Sequence, residues 1–461
     1  WGGILNVTNG NSQNYSIRGQ INYDGVIDEI HQITALAGME IRETRDWANG
    51  ARYYGYNEKT LIAGSQLPNP YINIWGYNSY LTDASPETDY QQRYLSYYGN
   101  LSYTLMNKYV LSGSVRYDDY NNFGVDRKYR ATPMWSTGFS WHIGREDFIM
   151  DNVGWLNQLT FRTTYGYNGN IDPGQYPFTN ISLSTSNDGF TQLPSSSITA
   201  AANPSIRWEK TGVLNFGLDF AVLNHRLSGS IEVYRKYSRD LFAEYTINPI
   251  FGANSTRSYT LTRNAAKVDG KGVDIALNGM IVQKSDFNYR ASLTFSYNTN
   301  EVKSSPYELY SSFASSGGGS GRMIEGYNMN NFWATRWAGL DEEGNALVYN
   351  ADGEIIKSTE NITNDDLVYM GTLTPKYFGG FFNTFTYKGL SLYVGITYKL
   401  GYIFQKPTIS QQPASRYGGA NYEINEDMAK RWREAGDEAK TDVPRLGTDN
   451  NSFQRYRGAD I

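Results

Sequence analysis

Apolar and polar residues alternate along this chain in stretches of about ten residues. Between 213 and 220, for example, Leu214, Phe216, Leu218 and Phe220 occupy every second position. Successive side chains of a β-strand point to opposite faces, so such a stretch predicts a strand with one apolar and one polar face. The same pattern recurs at 227–234, 289–298 and 392–399.

About twelve stretches of this kind are present, near 14–24, 31–42, 91–105, 108–119, 129–143, 156–168, 207–222, 226–242, 263–282, 287–301, 375–388 and 391–404. Composition supports an all-β fold, because 15% of the residues are aromatic and 46 are glycine. Aromatic residues favour strands, and glycine favours turns. No apolar run reaches the roughly eighteen residues that a membrane-spanning helix needs.

Short links and long links alternate between the predicted strands. Residues 106–108, 224–225, 285–286 and 388–389 are short polar links, which predict β-hairpins. The links at 169–206, 244–262 and 302–374, and the segment after 404, are long and rich in Ser, Asn, Gly and Pro. The sequence therefore predicts pairs of strands that are joined at one end by tight turns and at the other end by long loops.

This rhythm is typical of an antiparallel transmembrane β-barrel of the outer membrane, with its turns in the periplasm and its loops outside. The apolar faces end in tyrosines that could form interfacial girdles: Tyr103, Tyr117, Tyr165, Tyr387 and Tyr398. On strand 391–404 we expect Leu392, Val394 and Ile396 to face lipid and Thr397 and Lys399 to face inward. A soluble β-sandwich or β-helix also alternates, but it seldom carries such long loops.

Several classes of protein are disfavoured by what the chain lacks. It has no cysteine, which removes disulfides and thiolate chemistry, and its net charge of −5 is spread without a basic patch for nucleic acid. The start at Trp1 shows no features of a signal peptide.

Residues 203–242 carry a recognisable pattern. It comprises Asn203 to Thr211, Asn215 to Phe220, Arg226 to Ser230 and Asp240-Leu241, with further matching stretches at His31 to Gly38, Gly270 to Ile275, Ala338 to Asp341, Pro375 to Gly380, Tyr387 to Leu390, Arg431-Trp432 and Gly436 to Glu438. Together these stretches resemble the SusC/RagA family, the TonB-dependent outer-membrane transporters of Bacteroidetes-type bacteria. The resemblance runs from about residue 15 to residue 450.

The resemblance implies a plugged barrel of about 22 strands. The family's N-terminal plug domain and TonB-pairing segment are not recognisable, and the end at Gly458 to Ile461 lacks a closing strand with a terminal aromatic residue. We therefore expect residues 1–461 to be part of a TonB-dependent receptor β-barrel domain, an incomplete piece with two unpaired edges.

By resemblance, the function is active import of an oligosaccharide or a peptide across the outer membrane of a Gram-negative bacterium. The TonB complex would supply energy, and a SusD-like surface lipoprotein would cap the outer mouth. No enzymatic activity, cofactor, metal or nucleic-acid partner is expected. The alternatives are a passive porin-like channel and a secreted β-protein that binds or degrades carbohydrate.

Signals for catalysis or metal binding are weak. His31, His142 and His225 lie far apart in sequence, so structural roles are expected. The run Asp341 to Asn345 lacks the alternating carboxylates of a calcium loop and predicts a plain polar turn. Asp365-Asp366 is expected to be a solvated acidic pair.

Aromatic residues in two long loops are the candidate substrate-binding residues. They are Trp75 and Tyr77 in one loop, and Tyr327, Trp333 and Trp337 with Arg336 in another, after a Gly/Ser-rich stretch. Flat apolar rings beside hydrogen-bonding groups suit sugar faces and peptides alike. Packing within the loops, or contact with a partner protein, is the alternative.

Overall fold

A computed structural model describes residues 3–63, 69–73, 76–81, 87–122, 127–172, 174–187, 191, 193–246, 260–307, 318–320, 323–358, 362–405, 408, 426–445 and 456. Within these ranges, every helix is too short to cross a membrane. The α-helices are Arg127–Arg130, Asp147–Met150 and Asp427–Lys430, and the 3-10 helices are Ile143–Arg145, Asn364–Asp366 and Asp437–Ala439.

The strands, in chain order, are β1 (Gly3–Ile27), β2 (His31–Tyr56), β3 (Tyr71–Ile72), β4 (Asn78–Ser79), β5 (Thr88–Leu105), β6 (Tyr109–Tyr120), β7 (Ala131–Trp141), β8 (Leu156–Asn170), β9 (Asn180–Asn187), β10 (Pro194–Ala200), β11 (Glu209–Val222), β12 (Leu227–Thr246), β13 (Thr260–Gln283), β14 (Phe287–Ser304), β15 (Gly318–Ser320), β16 (Asn331–Leu340), β17 (Ala346–Tyr349), β18 (Ile355–Lys357), β19 (Leu367–Thr372), β20 (Tyr377–Tyr387) and β21 (Leu390–Leu400).

Twelve of these strands form one antiparallel sheet in the order β1-β2-β5-β6-β7-β8-β11-β12-β13-β14-β20-β21. They are the twelve predicted strands, and the all-β class is confirmed. The order follows the chain, so each strand pairs with the next long strand. In the described residues β1 and β21 have one partner each, as expected for an incomplete piece of a barrel.

The first two strands are much longer than predicted. Gly3 pairs with Tyr56 at the far end of the β1–β2 ladder, whereas the alternation ends near residues 14 and 42. Beyond that level both faces carry polar residues, as at Glu43 on one face and Thr44 on the other. Backbone pairing continues there, although the two faces no longer differ in polarity, and so the pattern underestimates the strand length.

The four predicted tight turns are confirmed. Asn107, Asn224 and Lys388 adopt positive φ angles of 55°, 57° and 43° in the links after β5, β11 and β20. Ser285-Asp286 lies between β13 and β14. Positive φ matches the twist of the flanking strands in tight hairpins. A fifth hairpin, not predicted, turns at Asp28 and Glu29 between β1 and β2.

One face of the sheet is apolar across its whole width. Residues that share this face in register include Ile17 with Ile41, Leu111 with Phe139, Phe216 with Val233, Val233 with Val273, and Phe381 with Ile396. Many are exposed, up to 78% for Ile21. On β14 this face is apolar or aromatic from Tyr289 to Tyr297, about 27 Å along the strand. At a strand tilt of about 40° this is about 21 Å along the membrane normal, close to the hydrophobic height of an outer-membrane barrel. We call it the outer face.

The outer face includes Leu392, Val394 and Ile396, and the predicted alternation of β21 is present. Ile396 lies opposite Phe381, whereas Thr397 lies opposite Gly380 on the other side of the sheet. The opposite side, which we call the inner face, carries ion pairs at the level of the apolar band, such as Arg18 with Glu40 and Arg162 with Asp219. The ion pairs of the outer face, such as Arg93 with Glu43, lie beyond that band.

Candidate functional site

A row of charged side chains crosses the inner face of β1, β2, β5 and β6. Arg116 Nε donates to both carboxylate oxygens of Asp118 at 2.8 Å, and its Nη2 donates to Ser96 Oγ at 3.0 Å. Arg18 Nη2 donates to Glu40 at 3.3 Å. Asp118 and Ser96 are buried beneath this layer. This row presents positive charges, negative charges and hydrogen-bonding groups on the inner face.

Tyr98 lies within this charged layer. Its ring has Arg18 5.8 Å from its centroid and Arg116 at 5.9 Å, and its hydroxyl donates to Gln20 at 3.1 Å. The ring and Arg116 help to line a recess of about 450 Å³, whose other inner-face residues include Asn100 and Ser114. An aromatic ring between two guanidinium groups can contact an extended polar molecule by stacking and by hydrogen bonds.

A second charged group lies further along the inner face. Arg162 Nε donates to Asp219 at 2.6 Å, and its Nη2 donates to Glu232 at 2.9 Å. Asn215 donates to Glu232 at 3.3 Å, and its own Oδ1 atom is buried without a partner in the described residues. One arginine therefore bridges two carboxylates on neighbouring strands.

The recognisable stretch around 203–209 closes the loop end of this face. Trp208 is buried against Tyr120 and Ile206, and its indole N–H donates to the Arg130 carbonyl at 3.0 Å. Arg207 pairs with Asp240 at 2.7 Å. These contacts give the stretch a structural role, which its residue types alone do not reveal.

Trp333 packs within its loop, which is the alternative to contact with substrate. Its indole is only 6% exposed and donates to Asn331 Oδ1 at 2.9 Å. Tyr327 packs edge-on at 4.8 Å between ring centroids, and Tyr369 lies at 5.7 Å. Trp333 is enclosed because β16 is flanked by β15, β17 and β19 in a small sheet, and its role in substrate binding stays a prediction.

The other candidate residues are not brought together. Trp337 is half-buried against Tyr456, 5.9 Å between ring centroids, and donates to Asp442 at 3.2 Å. Arg336 is exposed and lies 5.3 Å above the Tyr349 ring. Tyr77 is 71% exposed in the β3–β4 hairpin. Trp75, and most of the Gly/Ser-rich stretch at 315–321, lie outside the described residues.

Asp341 lies in a polar turn, as predicted. Its carboxylate accepts the backbone N–H of Asn345 at 2.7 Å and Lys357 Nζ at 3.1 Å. Burial alone would raise the pKa of Asp341, but the bonds from Asn345 and Lys357 hold it below its ordinary value. Gly344, with φ of +76°, lets the Trp432 ring of the Arg431-Trp432 stretch pack against this turn. In the ranges that the structure describes, no cluster of three or more His, Asp or Glu side chains could hold a metal ion.

The histidines and the acidic pair have structural positions. His31 and His142 contact Tyr103 and Thr160 at 2.7 and 3.2 Å, and His225 lies in a tight turn with φ of +60°. The expectation of a solvated pair is wrong for Asp366, which is buried and accepts the backbone N–H groups of Thr363 and Ala351, each at 2.7 Å.

Residues 2–425 match the family described as TonB dependent receptor-like, beta-barrel. The chain belongs to this family. Membership agrees with the resemblance inferred from the sequence stretches, and the family comprises receptors and transporters rather than enzymes.

Similar curated proteins come from two bacteria. TonB-dependent receptor P26 of Formosa agariphila is 26% identical over 97% of this chain and 44% of its own length. TonB-dependent receptor SusC of Bacteroides thetaiotaomicron is 29% identical over 54% of this chain and 26% of its own length. The chain spans less than half the length of these curated relatives.

A similar solved structure is the RagAB peptide importer in its closed-closed state. It has a TM-score of 0.73 and 25% identity, over 96% of this chain and 47% of that one. The open-open state gives the same TM-score and identity. The twelve-stranded sheet is therefore part of a barrel of the SusC/RagA type.

Proposed function

We propose that this chain forms part of the wall of an outer-membrane importer that takes up an oligosaccharide or a peptide with energy from the TonB complex. The observation that carries the proposal is the sheet itself, which has a charged inner face and a lipid-compatible outer face that runs about 27 Å along β14, or about 21 Å along the membrane normal at a tilt of about 40°. The similarity to SusC and to the RagAB peptide importer supports import rather than passive diffusion or secretion.

In this proposal the parent protein also contains a plug domain, a TonB-pairing segment and further barrel strands. The curated relatives are more than twice as long as the parts matched here, which is consistent with such additions. A SusD-like lipoprotein is the proposed partner at the loop end of the barrel.

The inner face is the proposed path of the substrate. Arg18, Arg116 and Tyr98 offer cationic and aromatic contacts, while Glu40 and Glu232 offer acceptors. Paired charges of both signs suit a peptide backbone with its termini, and the hydroxyl-rich surface of a glycan is equally able to donate to such carboxylates.

Among the loop aromatics, those with an accessible surface remain candidate substrate contacts. Tyr77 and Arg336 are exposed, and Tyr327 and Trp337 are half-buried. Trp75 stays a prediction from the sequence. Because Trp333 is enclosed, it would act on substrate only through the loop that it holds together.

The decisive experiment is uptake by cells that carry the full-length protein. Ligand that co-purifies with the protein from native membranes is identified by mass spectrometry, and its labelled form is offered to cells with and without TonB. We expect uptake that requires both TonB and the co-purified lipoprotein. TonB-independent uptake would instead support a passive channel, and recovery of the protein from the medium would support the secreted alternative.

A further inference from the structure

A cationic pocket lies on the outer face, immediately beyond the apolar band. On β12 and β13 the band ends at Val233 and Val273, which are opposite one another. Two residues further toward the loop end, Arg235 lies opposite Lys271 on the same face. Tyr297, opposite Val273, and Tyr377, whose ring centroids are 5.2 Å apart, mark the end of the band on β14 and β20.

This pocket has a volume of about 680 Å³. Its charged lining residues are Arg235, Lys271, Lys303 and Lys376, with Asp269 and Glu301. Tyr327 and Tyr369 of the folded loop form another side. The volume is ample for a headgroup of one or two sugar-sized units, within the range of ordinary ligand pockets.

The positive charge in the pocket is only partly compensated. Asp269 accepts Arg239 at 2.7 Å, and Glu301 accepts Lys303 at 2.5 Å. Arg235 is 3.9 Å from Asp269, beyond hydrogen-bond distance. In the described ranges Lys271 and Lys376 have no carboxylate within reach, and both line the pocket.

A second charged region of the outer face provides a contrast. Above the apolar band on β2 and β5, Arg93 pairs with Glu43 at 2.7 Å, and Arg45 pairs with Asp89 at 2.7 Å. In that region each of these arginines is neutralised by a carboxylate. Of these two regions of the described residues, only the pocket on β12 to β20 therefore has an excess of positive charge at the end of the apolar band.

We propose that this pocket binds the phosphate group of a phosphorylated glycolipid in the outer leaflet. The inference rests on the proposed placement of the barrel in the outer membrane. A lipid whose chains lie against Val233 and Val273 has its headgroup at the level of Arg235 and Lys271, and ammonium and guanidinium groups bind phosphate oxygens by charge-assisted hydrogen bonds. The tyrosine rings provide flat surfaces for the sugar to which the phosphate is attached.

The test is native mass spectrometry of the full-length protein in a neutral detergent. Diphosphorylated lipid A is compared with the same lipid after removal of both phosphates, and inorganic phosphate is added as a competitor. The variant is Lys271→Gln with Lys376→Gln. Its matched control is Lys236→Gln, which lies one residue from Arg235 but on the inner face, 4.8 Å above the Tyr234 ring.

We expect the double variant to bind phosphorylated lipid about fivefold more weakly, as two exposed charge contacts are lost. Lys236→Gln should bind as the wild type does, and Lys271→Arg with Lys376→Arg should retain binding. Equal binding by the wild type and the double variant, or equal loss in the Lys236 control, overturns the proposal, and so does competition by inorganic phosphate at low millimolar concentration. These readouts need no transport, and fractionation of the cells tests the membrane location separately.

Discussion

Lysine at Ile396 should destabilise the barrel, whereas lysine at the next residue should be tolerated. Ile396 lies on the outer face opposite Phe381, and Thr397 lies on the inner face opposite Gly380. The two positions share a strand, a neighbour strand and a level in the membrane. They differ in the face and in the side chain that is replaced, so with a control for the lost isoleucine their difference reports the contact with lipid.

The magnitude follows from the position of Ile396 along β21. It lies six residues beyond Leu390, about 20 Å along the strand, or about 15 Å along the membrane normal for a strand tilted by about 40°. Half the height of an apolar band of about 25 Å is about 12 Å, so Ile396 lies close to the midplane. There a lysine costs about 2–4 kcal/mol, which Ile396→Lys should approach, whereas Thr397→Lys should cost less than about 1 kcal/mol.

The assay is reversible refolding of the full-length barrel into lipid vesicles along a denaturant titration, with both variants measured beside the wild type. Ile396→Met is a control for the loss of the branched side chain, and it should stay close to the wild type. Equal costs for the two lysine variants would refute the assignment of the faces.

Three further predictions concern other parts of the chain. Hydrogen bonds from Tyr109, Trp141 and Lys108 lower the pKa of Glu146 to about 2. The stability that this carboxylate contributes is therefore present above about pH 4.5 and is lost as the pH falls toward 2. Glu146→Gln should abolish this pH dependence in thermal unfolding measured from pH 7 to pH 2. Trp333→Ala should destabilise the folded loop by about 3–5 kcal/mol and expose it to protease on whole cells, with Trp333→Phe milder; an unchanged digestion pattern would contradict the packing role. Arg162→Met should lower the free energy of unfolding by about 1 kcal/mol in denaturant titrations, because Asp219 and Glu232 lose their shared cation. Adding Asp219→Asn and Glu232→Gln should recover part of this loss. A larger loss in the triple variant would contradict this account.

The sequence was most informative where lipid and water lie on opposite sides of the sheet. Alternation at Leu214 and Phe216 located a strand within a few residues, because the two faces of that strand meet different surroundings. The same argument underestimated β2, because Glu43 and Arg45 are both beyond the apolar band.

The candidate site was less accessible to sequence reasoning. Trp333 has the residue type of a ligand contact, but burial depends on which strands flank β16, and that is a matter of tertiary pairing. The triad of Arg162, Asp219 and Glu232 joins residues up to 70 positions apart. Its signal, a charge at an inner-face position on each of three neighbouring strands, becomes readable only once the register is known.

The small sheet of the long loop also has a consequence for how the barrel assembles. β14 and β20 are separated by about 70 residues, so their pairing costs about 3 kcal/mol more in chain entropy than pairing across a two-residue turn. Tyr327 is held by two backbone hydrogen bonds between Val302 and the 326–327 segment, and Asn331 pairs with Thr372. Once those contacts form, the connection shortens to about ten residues, and about 2 kcal/mol of that cost is removed. The folded loop therefore holds the two membrane strands close together, and its folding should precede their pairing.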